Sequence, residues 1–412
     1  MILYNRHTLH NGLKILVHED NSTPMAVVNI MYNVGARDES PEKTGFAHLF
    51  EHLMFGGSIN IPDYDEPLQR AGGENNAYTT NDITNYYCVL PSQNIETAFW
   101  LESDRMLSLA FSKKSLEVQR KVVCEEFKEH YINKPYGDVW HKMRKLAYDV
   151  HPYQWMTIGK ELSHVENATM KDVKDFFFKF YRPNNAIMVV AGNVNSNHIF
   201  QLAEKWFGSI PAGEKYERNL PKEPKQKNAK LLEVKADVPL DALIKTWHIE
   251  ERLSKGYYTA DLITEILGGG ASSRLYQSLV KEKQLFSNIN CYHFGTIEPG
   301  LLTIEGKLIK GVTMQEAENA IEEELVQLKS NKVAETELQK TINRTESMIA
   351  FEDVSVASRA NSLALYELLG DVELINTEFS KFQEVTVNDI QNYAQKIFET
   401  NNSSTIHYYS NN

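Results

Sequence analysis

One stretch constrains this chain more than any other: Gly45-Phe-Ala-His48-Leu-Phe-Glu51-His52-Leu-Met-Phe-Gly56. Residues four apart on an α-helix share a face, so His48 and His52 project side by side, with Glu51 at the edge of that face. Phe46, Leu49, Phe50, Leu53, Met54 and Phe55 make the helix apolar almost all round, which predicts burial. Two imidazoles and a carboxylate within one buried turn need partners. A metal ion supplies them, with the imidazoles as ligands and Glu51 placed to deprotonate a metal-activated water, the set that zinc hydrolysis uses. The alternative, core histidines satisfied by hydrogen bonds elsewhere, suits a lone His better than this three-residue pattern.

A single catalytic zinc wants a third protein ligand and an open position. The segment from Ser115 to His130 reads as a helix on which Val122, Val123, Glu126, Phe127 and His130 share one side, while Glu125 neighbours Lys121, Lys128 and Glu129 on the polar side. Glu126 is therefore the carboxylate expected to point inward, and a carboxylate on a valine-lined stripe needs a cation. Glu129, one turn further on, is a supporting or alternative ligand; for Glu125 and Glu129 a solvated face is the plainer reading. A structural zinc site would close with four ligands, commonly cysteines. Cys124 lies near Glu126 in sequence but points roughly 160° away from it on a helix.

At 412 residues with 42% apolar content, the chain is too long for one ordinary core, and two domains of about 200 residues are expected. Strand-like runs over 14–19, 25–34 and 84–90 and helix-like runs over 44–55, 94–108, 114–130 and 170–180 fill the first half. A strand at 186–192 and a helix at 196–207 follow. The stretch 210–230, with Pro211, Gly213, Pro221, Pro224 and many charges, reads as a linker. The second half repeats the order: strands at 231–235 and 242–247, helices at 255–267 and 272–283 around Gly268-Gly269-Gly270, a strand at 301–308, then long helices at 314–330, 334–353 and 356–369. The expected division is a catalytic zinc-binding domain over 1–212, a linker over 213–230 and a non-catalytic domain over 231–412. The repeated order suggests a duplicated unit, too large for a solenoid.

The net charge of −12 disfavours nucleic acid as a partner, since phosphate binding needs a basic surface. Three scattered cysteines without a CxxC argue against a disulfide framework and fit reduced thiols in a cytoplasmic protein. No run approaches the roughly 18 apolar residues a membrane span needs, and the first twenty residues alternate like a strand rather than reading as a signal peptide.

The inverted zinc motif, with the glutamate before the second histidine, is that of the inverzincins. The chain as a whole resembles the pitrilysin/insulinase family, which includes the mitochondrial processing peptidases. His48-Leu-Phe-Glu51-His52 is similar to the family's ligand and base positions, and Val122-Val-Cys-Glu-Glu126-Phe to the segment carrying its distal ligand. The family's usual glutamate seven residues before that ligand is Gln119 here. Gly72-Gly-Glu-Asn-Asn76-Ala77-Tyr78-Thr79 through Asp82, Thr84 and Tyr86 resembles the family's edge strand, which pairs with substrate backbone, so Asn76, Ala77, Tyr78 and Thr79 are the implied peptide-binding residues. Arg182-Pro-Asn-Asn185 and Leu267-Gly-Gly-Gly-Ala-Ser-Ser-Arg274-Leu275 also match. The family's substrate-holding arginine and tyrosine align with Lys281 and Ser287 instead.

The resemblance implies an α+β fold of two homologous α/β-sandwich domains of about 200 residues forming half of a clamshell. It further implies one zinc per chain and endopeptidase activity on peptides or unfolded segments within a dimeric chamber. The partner is expected to be a homologous subunit supplying the Arg/Tyr clamp. A non-catalytic assembly subunit is the competing expectation.

Overall fold

Near-continuous apolar runs in the first half, such as Met25–Tyr32 and Ala186–Gly192, build strands buried on both faces, a pattern that requires cover on each side of a sheet. The computed structural model describes residues 1–411. In chain order the elements are β1 (Asn5–Thr8), β2 (Lys14–Glu19), β3 (Met25–Tyr32), α1 (Phe46–Leu53), α2 (Asp65–Arg70), β4 (Glu74–Thr79), β5 (Thr84–Pro91), α3 (Ile95–Leu107), α4 (Lys113–Phe127), α5 (Val139–Ala147), α6 (Leu162–Glu166), α7 (Met170–Phe180), β6 (Ala186–Gly192) and α8 (Ser196–Phe207). They continue with β7 (Lys230–Ala236), β8 (Ala242–His248), α9 (Lys255–Gly268), β9 (Phe286–His293), β10 (Leu301–Leu308), α10 (Met314–Ser330), α11 (Glu335–Glu352), α12 (Val356–Leu369), α13 (Leu374–Gln383), α14 (Val387–Ile397) and β11 (Ser403–Ser410). Two π-helical segments, Lys128–Ile132 and Tyr276–Glu282, follow α4 and precede β9. No helix among the described residues is long and apolar enough to cross a membrane.

The chain forms two compact units. The first comprises Met1–Ile132, Trp155–Pro221 and Ile349–Thr377; the second comprises Asn133–Gln154, Lys222–Met348 and the chain from Glu378 on. The passage at Pro221–Lys222 falls inside the proline-rich 213–230 segment. Relative to a division at that segment, each unit also borrows from the other half of the sequence: α12 belongs to the first unit and α5 to the second.

The first unit holds a six-stranded sheet in the order β1-β2-β6-β3-β5-β4, with β2 and β6 parallel and the remaining pairs antiparallel. Ala26, Val28, Ile30 and Tyr32 of β3 enter the core beneath α1, α3, α7 and α8. Val27 and Met31, their neighbours on the other face, meet Ala360, Leu363 and Ala364 of α12. A sheet buried on both faces needs this second cover, and α12 brings an apolar stripe at helical spacing to provide it.

The second unit holds a five-stranded sheet in the order β7-β11-β8-β10-β9, with β7 and β11 parallel and the rest antiparallel. Val139 and Met143 of α5 pack with Ala242, Ile244, Ile406 and Tyr408 on one of its faces. Leaving β1 aside, the two sheets share one topology. Counting strands from the first of each set, both run 1-5-2-4-3, with helical structure inserted between the second and third strands, α1 and α2 in one and α9 in the other.

Candidate metal centre

α1 starts in an unusual way. Its N-cap is Gly45, left-handed at φ +88°, where a Cβ would also strike the Ile158 carbonyl at 2.7 Å. Gly45 has no side chain to cap the helix, so the orphan N–H groups of the first turn need an acceptor from elsewhere. Glu39 provides it: Gly45 N–H donates to Oε2 at 2.9 Å and Ala47 N–H to Oε1 at 2.8 Å. Burial pushes the Glu39 carboxyl up to about 8, against the pull of the backbone N–H groups of Ala47, Gly45 and Phe46.

From this start, Phe46, Leu49, Phe50 and Leu53 go into the core, and the remaining face carries His48, Glu51 and His52. The two imidazole rings lie edge-on, with centroids 4.9 Å apart. α4 packs against α1 and brings Glu126 between them: Oε2 is 3.6 Å from His48 Nε2 and 3.4 Å from His52 Nε2. These three residues form the one group of three or more candidate metal ligands found among the described residues.

The donor set fits zinc. Ligand bonds of about 2.0–2.2 Å at tetrahedral angles hold donor atoms roughly 3.3–3.6 Å apart, which matches the observed separations of 3.4 and 3.6 Å. His48 is lowered to about 4 by burial and then by the neighbouring His52, so it stays neutral, the form that ligates. Its Nδ1 is buried without a hydrogen-bond partner. Three protein donors leave a position open, as catalytic rather than structural sites do.

Glu51 stands outside the ligand group. Burial raises its carboxyl above the ordinary value, with nearby Thr79 and His52 pulling it down and Glu126 adding to the rise. A carboxylate held up in this way is suited to receive and return a proton. Thr79 ends β4, the terminal strand of its sheet, whose outer edge no strand covers among the described residues. Asn76, Ala77, Tyr78 and Thr79 all lie on this strand. Ala77 packs toward the core beneath α1, and the Tyr78 hydroxyl, on the other face, donates to Asn361 of α12.

Two expectations change. Glu126 sits at the rim of the buried stripe rather than within it: its side chain is 33% exposed and Val122 is 39% exposed, while Val123 and Phe127 are buried. α4 rolls so that Val123 and Phe127 fill the core and the line through Val122 and Glu126 faces the open side of the site. Glu129 does not join the donor group; it is exposed on the π-helical turn that re-aims the chain after α4. Glu125 pairs with Lys128 on the surface.

Glu39 and Arg37, which carry no motif in the sequence, position the elements of the site. Arg37 forms a buried ion pair with Asp82 at 2.9 Å, and the N–H groups of Ala36 and Arg37 donate to the carbonyls of Thr80 and Asn81. Gly35 makes this crossing possible, since a Cβ there would meet the Asn81 backbone at 2.5 Å. The segment before α1 thus pins the β4–β5 turn to the helix that carries the histidines.

Residues 14–152 match the family described as Insulinase (Peptidase family M16), and residues 167–345 match Peptidase M16 inactive domain. The chain is similar to zinc protease PqqE of Helicobacter pylori, at 31% identity covering 97% of this chain and 91% of that protein. It is similar to the β subunit of the mitochondrial-processing peptidase of Saccharomyces cerevisiae, at 29% identity over 50% of this chain and 45% of that one. Among solved structures, a protease from Helicobacter pylori superposes with a TM-score of 0.92 at 28% identity, covering 99% and 100% of the two chains. Pitrilysin shares the fold, with a TM-score of 0.76 at 19% identity, covering 99% of this chain and 45% of that one.

Proposed function

Because this chain belongs to the insulinase family of peptidases, family M16, we propose that it is a zinc-dependent endopeptidase acting on peptides or unfolded segments. The observation that carries this reading is the meeting of His48, His52 and Glu126 beside Glu51 at the end of an open strand edge. Those three side chains would hold one zinc per chain, which when bound would supply Lewis-acid chemistry to a water and a scissile carbonyl.

The chain's own residues do the rest. A substrate in extended conformation adds to the free edge of β4 through main-chain hydrogen bonds, which accept many sequences. Glu51 takes the proton of the attacking water and passes it to the amine that leaves, a role its raised carboxyl suits. Glu39 and the Arg37–Asp82 pair hold helix and strand in register for that transfer.

The same reading extends to a dimer. Lys281 and Ser287 occupy the positions of the family's arginine and tyrosine. Lys281 lies over the Tyr276 ring, 5.8 Å from its centroid, and the Ser287 hydroxyl donates to the Lys307 carbonyl. A homologous subunit that supplies the arginine and tyrosine would complete the substrate clamp.

Peptide hydrolysis by the purified chain, alone and with a candidate partner, before and after chelation and with zinc restored, tests the proposal. Zinc-dependent cleavage supports it. A chain that binds no zinc and cleaves nothing in either arrangement is a scaffold subunit instead.

A further inference from the structure

The face of the first sheet opposite the metal contains a polar break in an otherwise apolar layer. Asn29 of β3 and Asn85 of β5 are fully buried between apolar neighbours, and asparagine is disfavoured in strands. They bond each other reciprocally, Asn29 Nδ2 to Asn85 Oδ1 at 2.9 Å and Asn85 Nδ2 to Asn29 Oδ1 at 2.8 Å. Each carboxamide has two N–H groups and two lone pairs, so that pairing leaves capacity on both.

Opposite them, the apolar stripe of α12 gives way to Ser358, Asn361 and Ser362. Between the two layers lies a cleft of about 310 Å³, bounded toward the free edge of the sheet by Tyr78 and flanked by exposed Glu352. Glu352 is the one charged side chain in its lining.

We propose that this cleft is a specificity subsite that takes a basic side chain, Lys or Arg, of a peptide bound along β4. The inference rests on the peptidase reading, in which substrate adds as a strand at that edge. Side chains of an added strand point alternately to the two sheet faces, at a strand spacing of about 4.8 Å. Every second substrate residue therefore faces away from the metal site, and the one that stands beside Tyr78 can enter the cleft.

A long cationic side chain lays its aliphatic stem along the Tyr78 ring and carries its charge toward the asparagine and serine oxygens and Glu352. An anionic side chain finds no cation in that lining, and an apolar one leaves the remaining hydrogen-bonding capacity of the paired carboxamides unmet.

The test uses the zinc-loaded full-length chain and a peptide series in which a single Lys, or its uncharged isostere norleucine, is moved one position at a time. Cleavage by the parent chain and equilibrium binding to the Glu51→Gln variant are both read. The expected result is a lysine preference of about fivefold, the size a partly exposed charge pair supports, at alternate positions only. In Glu352→Gln the preference at those positions falls to near one.

Three results would overturn the subsite: no lysine preference, a preference at every consecutive position, which reports only the net charge of −12, or an alternating preference that survives Glu352→Gln. If peptides are neither cleaved nor bound by the chain alone or with a candidate partner, strand addition itself fails and the subsite fails with it. Peptides bound without alternation leave the peptidase reading intact and remove only the subsite.

Discussion

The two sheets run their common strands in the same order, yet the helix that follows the second strand has been put to different uses. In the second unit that helix is α9. It caps itself, with Ser254 accepting from Tyr257 N–H, and buries most of its length. One of its two acids, Asp261, accepts from His293 Nε2 of β9 at 2.9 Å, and Gly295 N–H donates to Nδ1 of the same ring. Both nitrogens of that imidazole are satisfied by the protein.

In the first unit the helix is α1. It is shorter, is capped by distant Glu39, and carries two imidazoles whose Nε2 atoms face a carboxylate while His48 Nδ1 has no partner. One topology thus supports a helix–strand pair whose imidazole is satisfied at both nitrogens and a helix whose paired imidazoles are not. The chemistry sits where hydrogen-bonding capacity is left over for a ligand.

The sharpest way to break this contrast is to remove the proton carrier. Glu51→Gln should lower peptide turnover by about a thousandfold while zinc content stays at the parental value. Parental turnover would remove Glu51 from the chemistry. Glu126→Ala should weaken zinc binding by at least about a hundredfold in chelator competition, beyond the loss typical of groups that only support a ligand. An unchanged affinity would return Glu126 to an ordinary surface acid.

The remote cap gives a smaller, pH-dependent effect. Glu39 keeps its proton to about 8 in the folded chain, against an ordinary 4.5. Between those values the folded state binds more protons than the unfolded one, so stability falls as pH rises through that window. Urea midpoints at pH 5 and pH 8 should show this slope in the parent, and Glu39→Gln should lack Glu39's share of it. The smallest effect is expected from the saturated pair. Asp261→Asn should cost about 1 kcal/mol of stability and leave zinc affinity and turnover within twofold. A large loss of turnover would mean that α9 shares in the chemistry.

Much of this contrast can be read before folding, because His48, Glu51 and His52 lie within one turn and helical periodicity alone puts them on one face. Glu126 is readable for the same reason, although its exposure is not: whether Val122 or Val123 fills the core depends on how α4 rolls against α1. Glu39 and Arg37 are hidden because their roles depend on contacts to backbone groups and to a residue 45 positions away, for which sequence periodicity has no signal.

The first-unit sheet is visible in its apolar runs. β11, by contrast, lies at the far end of the chain in Ser403-Ser-Thr-Ile-His-Tyr-Tyr-Ser, where polar residues are buried on both sides and the alternation is lost. α12 has a clear apolar stripe, but a stripe does not say which of two sheets it will cover.

A single metal ion joining two imidazoles of α1 to the carboxylate of α4 has a signature in X-ray absorption at the zinc edge of the reconstituted chain. The expected spectrum shows about one zinc per chain in a nitrogen and oxygen shell at roughly 2.0–2.2 Å with the outer scattering of two imidazoles, one of them lost in His48→Ala. A sulfur shell near 2.3 Å, or a spectrum that His48→Ala leaves unchanged, would contradict it.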